Sequence, residues 1–148
     1  MTKKEEKYRL LERQVAAWLE GEQDTVAKMA NLAAVLHVTF GFWWTGFYRV
    51  AGNELILGPF QGPVACMRIP YGKGVCGTAW KRNESVVVPD VEAFQGHIAC
   101  SSASRSEIVI PVHGPTGAVT AVLDIDSDKL AAFDEVDRLW LEKIVTML

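Results

Sequence analysis

The stretch Glu107-Ile-Val-Ile-Pro-Val-His-Gly-Pro-Thr-Gly-Ala-Val-Thr-Ala-Val-Leu-Asp-Ile-Asp126 decides the fold class. Residues 107–112 and 118–125 are two β-rich runs, and His113-Gly-Pro-Thr-Gly117 between them is a strong hairpin signal. Upstream, the aromatic run from Phe40 to Val50 turns at Ala51-Gly-Asn53 and returns through Glu54-Leu-Ile-Leu57, so residues 43–57 read as a second hairpin. Met67-Arg-Ile69 and Ser85-Val-Val-Val88 add short strands, the latter cut by Pro89. Residues 90–106 read as an irregular loop with one turn of helix. Helical spacing frames these strands. Tyr8, Leu11, Val15, Trp18 and Leu19 form a stripe over 5–19. Asp24 caps a helix over 25–37 that turns Val26, Met29, Ala30, Ala33 and Leu36 inward. Gly74 to Lys81 reads as a short helix. A last helix begins at Phe133-Asp134, with Val136, Leu139, Trp140, Ile144 and Val145 on one face. The expectation is an α+β layered domain, an antiparallel sheet flanked by N- and C-terminal helices, forming one domain over residues 1–148.

The formal charge of −3 comes without a block of like charges, which argues against a nucleic-acid partner. No run of about 18 apolar residues exists to span a membrane. The charged start, Met1-Thr-Lys-Lys-Glu-Glu-Lys7, is not followed by a continuous apolar segment, so it is not a signal peptide. A cytoplasmic setting is therefore expected, where thiols rest reduced and a disulfide is transient.

Three kinds of residue carry chemistry. Cys66 closes a Gly/Pro-rich loop, Cys76 lies in Gly72-Lys-Gly-Val-Cys-Gly77 at the start of a helix, and Cys100 opens a Ser-rich stretch. A lone cysteine is more often a small buried hydrophobe, but loop settings weaken that reading for Cys66 and Cys100. A helix N-terminus favours the thiolate, and Cys76 has such a setting. A structural zinc site is disfavoured because no Cys-x-x-Cys pair exists, and His97 reads as a loop residue bonding to backbone. Glu107 opens one strand of the hairpin, while Asp124 and Asp126, two apart, close its partner on one face. Same-face acids repel unless they bind a cation or share a proton, and the plainer alternative is a solvated strand end with Asp126 capping a turn. Trp44 and Tyr48 share one face of their strand, Trp43 and Phe47 the other, so one aromatic face can line a pocket.

Taken together, Trp44-Thr-Gly-Phe-Tyr48, Gly58-Pro-Phe-Gln-Gly62, Cys66-Met-Arg-Ile-Pro70, Gly74-Val-Cys-Gly77, Pro89-Asp-Val91, His97-Ile-Ala-Cys100, Ser106-Glu-Ile108 and Leu123-Asp-Ile-Asp126 resemble free methionine-(R)-sulfoxide reductase, a GAF-domain family. The resemblance implies a sheet of about six strands with helices on one side and a loop-covered pocket on the other. It implies Cys100 as catalytic cysteine, Cys66 as resolving cysteine and a secondary role for Cys76 in disulfide formation, leaving open which of the two is the main partner. Glu107, Asp124 and Asp126 would engage the substrate, Trp44 and Tyr48 would supply the aromatic wall, and the amides around Ile98 and Ala99 would meet the substrate carboxylate. The implied reaction passes through a cysteine sulfenic acid and a disulfide recycled by thioredoxin, with no metal or organic cofactor. A homodimer through the Trp18 helix is a further expectation. The alternatives are a non-catalytic GAF domain sensing a small ligand or oxidant, and a purely structural dimerisation domain.

Overall fold

A computed structural model describes residues 1–98, 100 and 103–148. Six antiparallel strands form one sheet in the order β3-β2-β1-β6-β5-β4: β1 Trp44–Ala51, β2 Glu54–Gln61, β3 Arg68–Pro70, β4 Val86–Val88, β5 Ser106–His113 and β6 Val119–Ser127. Helices α1 (Lys3–Leu19), α2 (Thr25–Phe40) and α4 (Glu135–Val145) belong to the layer on one face. Helix α3 (Gly74–Arg82) and the loops belong to the other. The two hairpins, the short strands and all four helices follow the sequence expectation. The architecture is α+β, with a six-stranded antiparallel sheet, as the resemblance implies.

Alternation along β5 and β6 sorts residues between two cores. Ile108, Ile110, Ala121, Leu123 and Ile125 pack with Phe47 against the helical layer, while Val109 and Val122 face the loop side with Trp44 and Tyr48. Both faces of the central strands are therefore buried. Pro111 sits in β5 beyond Val109, where pairing with β4 stops, so its missing N–H interrupts no bond on that side.

Strand β2 runs further than its sequence suggests, through Gly58-Pro59 to Gln61. Gly46 pairs with Phe60 and Tyr48 with Leu57, so two residues of β2, Gly58 and Pro59, oppose Phe47 alone. This is a β-bulge, and a bulge accommodates a proline inside a sheet. The extra residue puts Phe60 on the same face as Leu55 and Leu57.

Three helical stripes differ from their expected form. Trp18, Val26 and Leu139 are more than half exposed, and Ala30 is exposed. Leu32 and Leu141 take the inward positions instead. An apolar stripe defines a face only to within one neighbouring position, and packing against the sheet selects among them. Asp137 is buried on α4 because it is fully used: Tyr8 Oη donates to it at 2.6 Å, Lys4 Nζ at 2.8 Å, and its own carboxylate accepts from the Asp134 amide at 2.9 Å. This network fastens α1 to α4.

Removing one donor from a buried carboxylate costs about 1–3 kcal/mol. Tyr8→Phe should lower the unfolding free energy by about that amount in urea titration while leaving the far-face site intact. A loss below about 0.5 kcal/mol would show that Lys4 alone satisfies Asp137.

Candidate functional site

The strand register assembles the site. Trp44 pairs with Asp126, and Asp126 pairs with Glu107, so these three form one row across β1, β6 and β5. Gly46 pairs with Asp124 in the next row on the same face. All of these except Gly46 line a half-open cavity of about 50 Å³, together with Tyr48, Cys76, His97, Ile98 and Cys100. Trp44 lies flat beside the sheet because Gly46 and Gly62 leave room for it. A Cβ on Gly46 would meet the Trp44 ring at 2.6 Å and Phe60 at 2.4 Å, and one on Gly62, at φ +127°, would meet Trp44 at 2.8 Å. The Trp44 ring stacks on Phe60 and Tyr48, with centroids at 5.2 and 5.9 Å. Its indole N–H donates to the Pro63 carbonyl at 3.0 Å, and the Tyr48 hydroxyl donates to the Cys66 carbonyl at 2.8 Å. Two aromatic side chains of β1 thus hold the loop that carries Cys66.

Cys66 and Cys100 are joined as a disulfide, with Cα atoms 5.4 Å apart. Cys76 is the free cysteine and is buried. Its sulfur lies 4.0 Å from Glu107 Oε2. Ser104 Oγ donates to Asp126 Oδ1 at 3.2 Å, and His97 Nε2 stands 3.9 Å from Glu107 Oε1. Among the described residues lining the cavity there is no Lys or Arg.

A GAF domain family model matches residues 20–147. Free methionine-R-sulfoxide reductase of Escherichia coli is 44% identical over 146 residues, covering 98% of this chain and 88% of that protein. GAF domain-containing protein A of Dictyostelium discoideum is 53% identical over 146 residues, covering 98% and 92%. The crystal structure of free methionine-R-sulfoxide reductase from Neisseria meningitidis in complex with its substrate superposes with a TM-score of 0.95 at 50% identity, covering 99% of this chain and 89% of that one. The chain belongs to the free methionine-(R)-sulfoxide reductase family of GAF domains.

Within this family frame, the residues singled out in the sequence converge on one cavity. Trp44, Tyr48, Cys76, Ile98, Cys100, Glu107, Asp124 and Asp126 all line it, with Cys66 bonded to Cys100. Ala99 lies outside the described residues. Asp126 is not the cap of a turn: β6 continues to Ser127, and it is Ser127 Oγ that accepts from the Lys129 amide at 3.1 Å. Trp43 departs from expectation as well. It precedes β1, so strand alternation does not govern it, and it lines the cavity rather than joining Phe47 in the opposite core. His97 also turns its ring toward Glu107 rather than serving the backbone alone. Its place three residues before Cys100 was the available signal.

The reading of Cys76 as an acidified thiol is overturned. It stands in the first turn of α3, but burial pushes its pKa well up, and the Asp124 and Glu107 carboxylates push it further. Burial outweighs the helix N-terminus here because the site holds negative neighbours. Cys100 lies in a bend rather than a helical turn, its N–H donating to the Ile98 carbonyl at 3.1 Å. Burial also raises Glu107 and Asp126 well above the carboxylate range, with the Asp124 charge as the next cause. Asp124 is raised by burial too, against hydrogen bonds from Glu107 and Cys76 that lower it. The three behave as one titrating unit that retains a proton longer than isolated acids do. His97 is lowered by burial, opposed by Asp124, so its ring is neutral near pH 7.

These shifts set the pH dependence of stability. Glu107 and Asp126 have folded pKa values above their ordinary 4.5 and 3.8, so the folded chain binds more protons than the unfolded chain across that window. Stability is then greatest below the window and falls as pH rises through it, by up to about 1.4 kcal/mol per pH unit for each group. Urea unfolding of the oxidised protein between about pH 5 and about pH 8 should show this fall, and Glu107→Gln should make it shallower. Equal slopes for the two proteins would place the proton elsewhere.

Proposed function

We propose that this chain, as a single GAF domain over residues 1–148, reduces free methionine-(R)-sulfoxide to methionine. One observation carries the reading: the Cys66–Cys100 pair stands at a pocket that contains two buried carboxyl groups, a half-buried third and an aromatic wall. Relatives named for this activity, and a related structure holding its substrate, support the choice of substrate.

The Cys100 thiolate attacks the sulfoxide sulfur. The sulfoxide oxygen leaves only if protonated, and the clustered acids supply a carboxyl that keeps its proton near neutral pH. The hydroxyl formed on the substrate sulfur passes to the Cys100 sulfur as the bond between the two sulfurs breaks, so methionine departs and Cys100 is left as a sulfenic acid. Cys66 then condenses with it, releasing water and forming the Cys66–Cys100 disulfide. A dithiol reductant of the thioredoxin type returns both thiols by exchange. The remaining carboxylates bind the substrate ammonium group, the amides at Ile98 and Ala99 receive its carboxylate, and Trp44 packs on the S-methyl group. A peptide-bound methionine sulfoxide lacks that cation, which accounts for selection of the free amino acid. The steps require no metal or organic cofactor. Trp18 and Leu10, exposed on α1, offer a face for pairing two copies. Among the described residues no helix is long and apolar enough to cross a membrane.

Cys100→Ser should abolish thioredoxin-coupled NADPH oxidation with the free R-sulfoxide while the circular dichroism spectrum is unchanged. Cys66→Ser should release one methionine per chain and then stall. Full turnover by Cys100→Ser would sink the assignment and return the domain to sensing.

Tyr48 gives a finer test. Its hydroxyl holds the Cys66 backbone, so Tyr48→Phe keeps the aromatic wall but frees the resolving loop. The first methionine should appear at close to the normal rate, while disulfide formation, followed by trapping the sulfenic acid, slows several-fold. An unchanged rate of disulfide formation would show that the loop needs no tether.

A further inference from the structure

Cys76 takes no part in the disulfide, and the reduction scheme makes no use of its thiol. Its surroundings nonetheless form a donor set. The Cys76 sulfur and one oxygen each from Glu107 and Asp124 lie within 4.8 Å of one another, and all three residues are buried. Zinc bonded to oxygen at about 2.0 Å and sulfur at about 2.3 Å in a tetrahedron spaces its donors roughly 3.3–3.8 Å apart. The 4.0 Å between the Cys76 sulfur and Glu107 Oε2 is close to that spacing. His97 Nε2 lies 3.9 Å from the other Glu107 oxygen, outside this three-residue set. A second observation points to a cation: Asp124 Oδ1 is buried with no hydrogen-bond partner among the described residues. A buried carboxylate oxygen without a donor is costly unless a positive group or water reaches it. The cavity of about 50 Å³ has room for one ion and a water or two.

We propose that the Cys76–Glu107–Asp124 corner, with water completing the coordination, reversibly binds a thiophilic divalent cation, zinc being the best match, and that the bound ion excludes the sulfoxide substrate. Binding displaces the Cys76 thiol proton and the proton shared by the carboxyl groups into solvent, so affinity rises with pH. The ion is an inhibitor and not a resident cofactor, because it occupies the carboxylates that the substrate ammonium requires. The exclusion half rests on the reductase reading; the binding half does not.

The oxidised protein isolates the site, since the Cys66–Cys100 disulfide leaves Cys76 as the free thiol. Cobalt(II) titrated into this form should bind at one equivalent per chain, with thiolate-to-cobalt charge-transfer absorption and release of protons, and zinc should displace it. Cys76→Ser should lose the charge-transfer band, and Glu107→Gln should weaken binding at least about tenfold. No band in the parent protein, a band that survives in Cys76→Ser, or full affinity in Glu107→Gln overturns the site. Added free methionine sulfoxide should bleach the band; calorimetric binding of the sulfoxide with the band intact overturns the exclusion. Failure of the reductase reading shows separately, as absence of turnover in metal-free protein whose cobalt band is normal.

Discussion

Three carboxyl groups, two of them buried and Asp126 half-buried, crowd one face of two paired strands, with a fourth acidic group, the Cys76 thiol, beside them. Placing Asp126 opposite Glu107 and Asp124 one row away makes repulsion unavoidable if all are ionised. The structure meets this constraint in two ways. A proton is kept within the cluster, and the opposite face of the same strands packs Ile108, Ile110, Leu123 and Ile125 into the core with α1, α2 and α4. Stability is thus gained on one side of the sheet and spent on the other. Such a division suits a site that must present both a proton donor and a receptor for a cation within a few ångströms.

Much of this arrangement was readable in the sequence. The alternation in Ala121-Val-Leu-Asp-Ile-Asp126 put both aspartates on one face with Val122 and put Ala121, Leu123 and Ile125 on the other, and the Gly-Pro-Thr-Gly turn brought Glu107 alongside. What the sequence did not show has physical causes. Leu139 and Leu141 are equally apolar, and only contact with the sheet decides which turns inward. Trp43 precedes the first ladder pair, so period-two reasoning failed at that residue. Cys76 looked activated because a helix start is visible in a sequence, whereas the carboxylates that raise its pKa lie more than 30 residues away in the chain.

The aromatic wall and the resolving loop are mechanically one unit. Trp44 and Tyr48 each use a ring to line the cavity and a polar edge to hold a carbonyl of the loop that carries Cys66. A ligand that presses on the rings also presses on the position of that cysteine. Under the proposed function, recognition and the closing of the disulfide would be joined through these two hydrogen bonds.

The bulge at Gly58-Pro59 has a consequence for how this chain can change over time. Strand alternation is a parity rule, and the one extra residue switches the parity between Leu57 and Phe60. Deleting Gly58 or Pro59 would restore plain alternation with Phe60 still opposite Gly46 and on the face of Leu57, so the stacking on Trp44 would survive. The far end of the hairpin at Gly52-Asn53 is free of that rule, because insertions beyond the ladder leave every pairing intact. The same hairpin can therefore change length at both ends, by insertion at the turn and by loss of the bulge, and neither segment carries a reacting group.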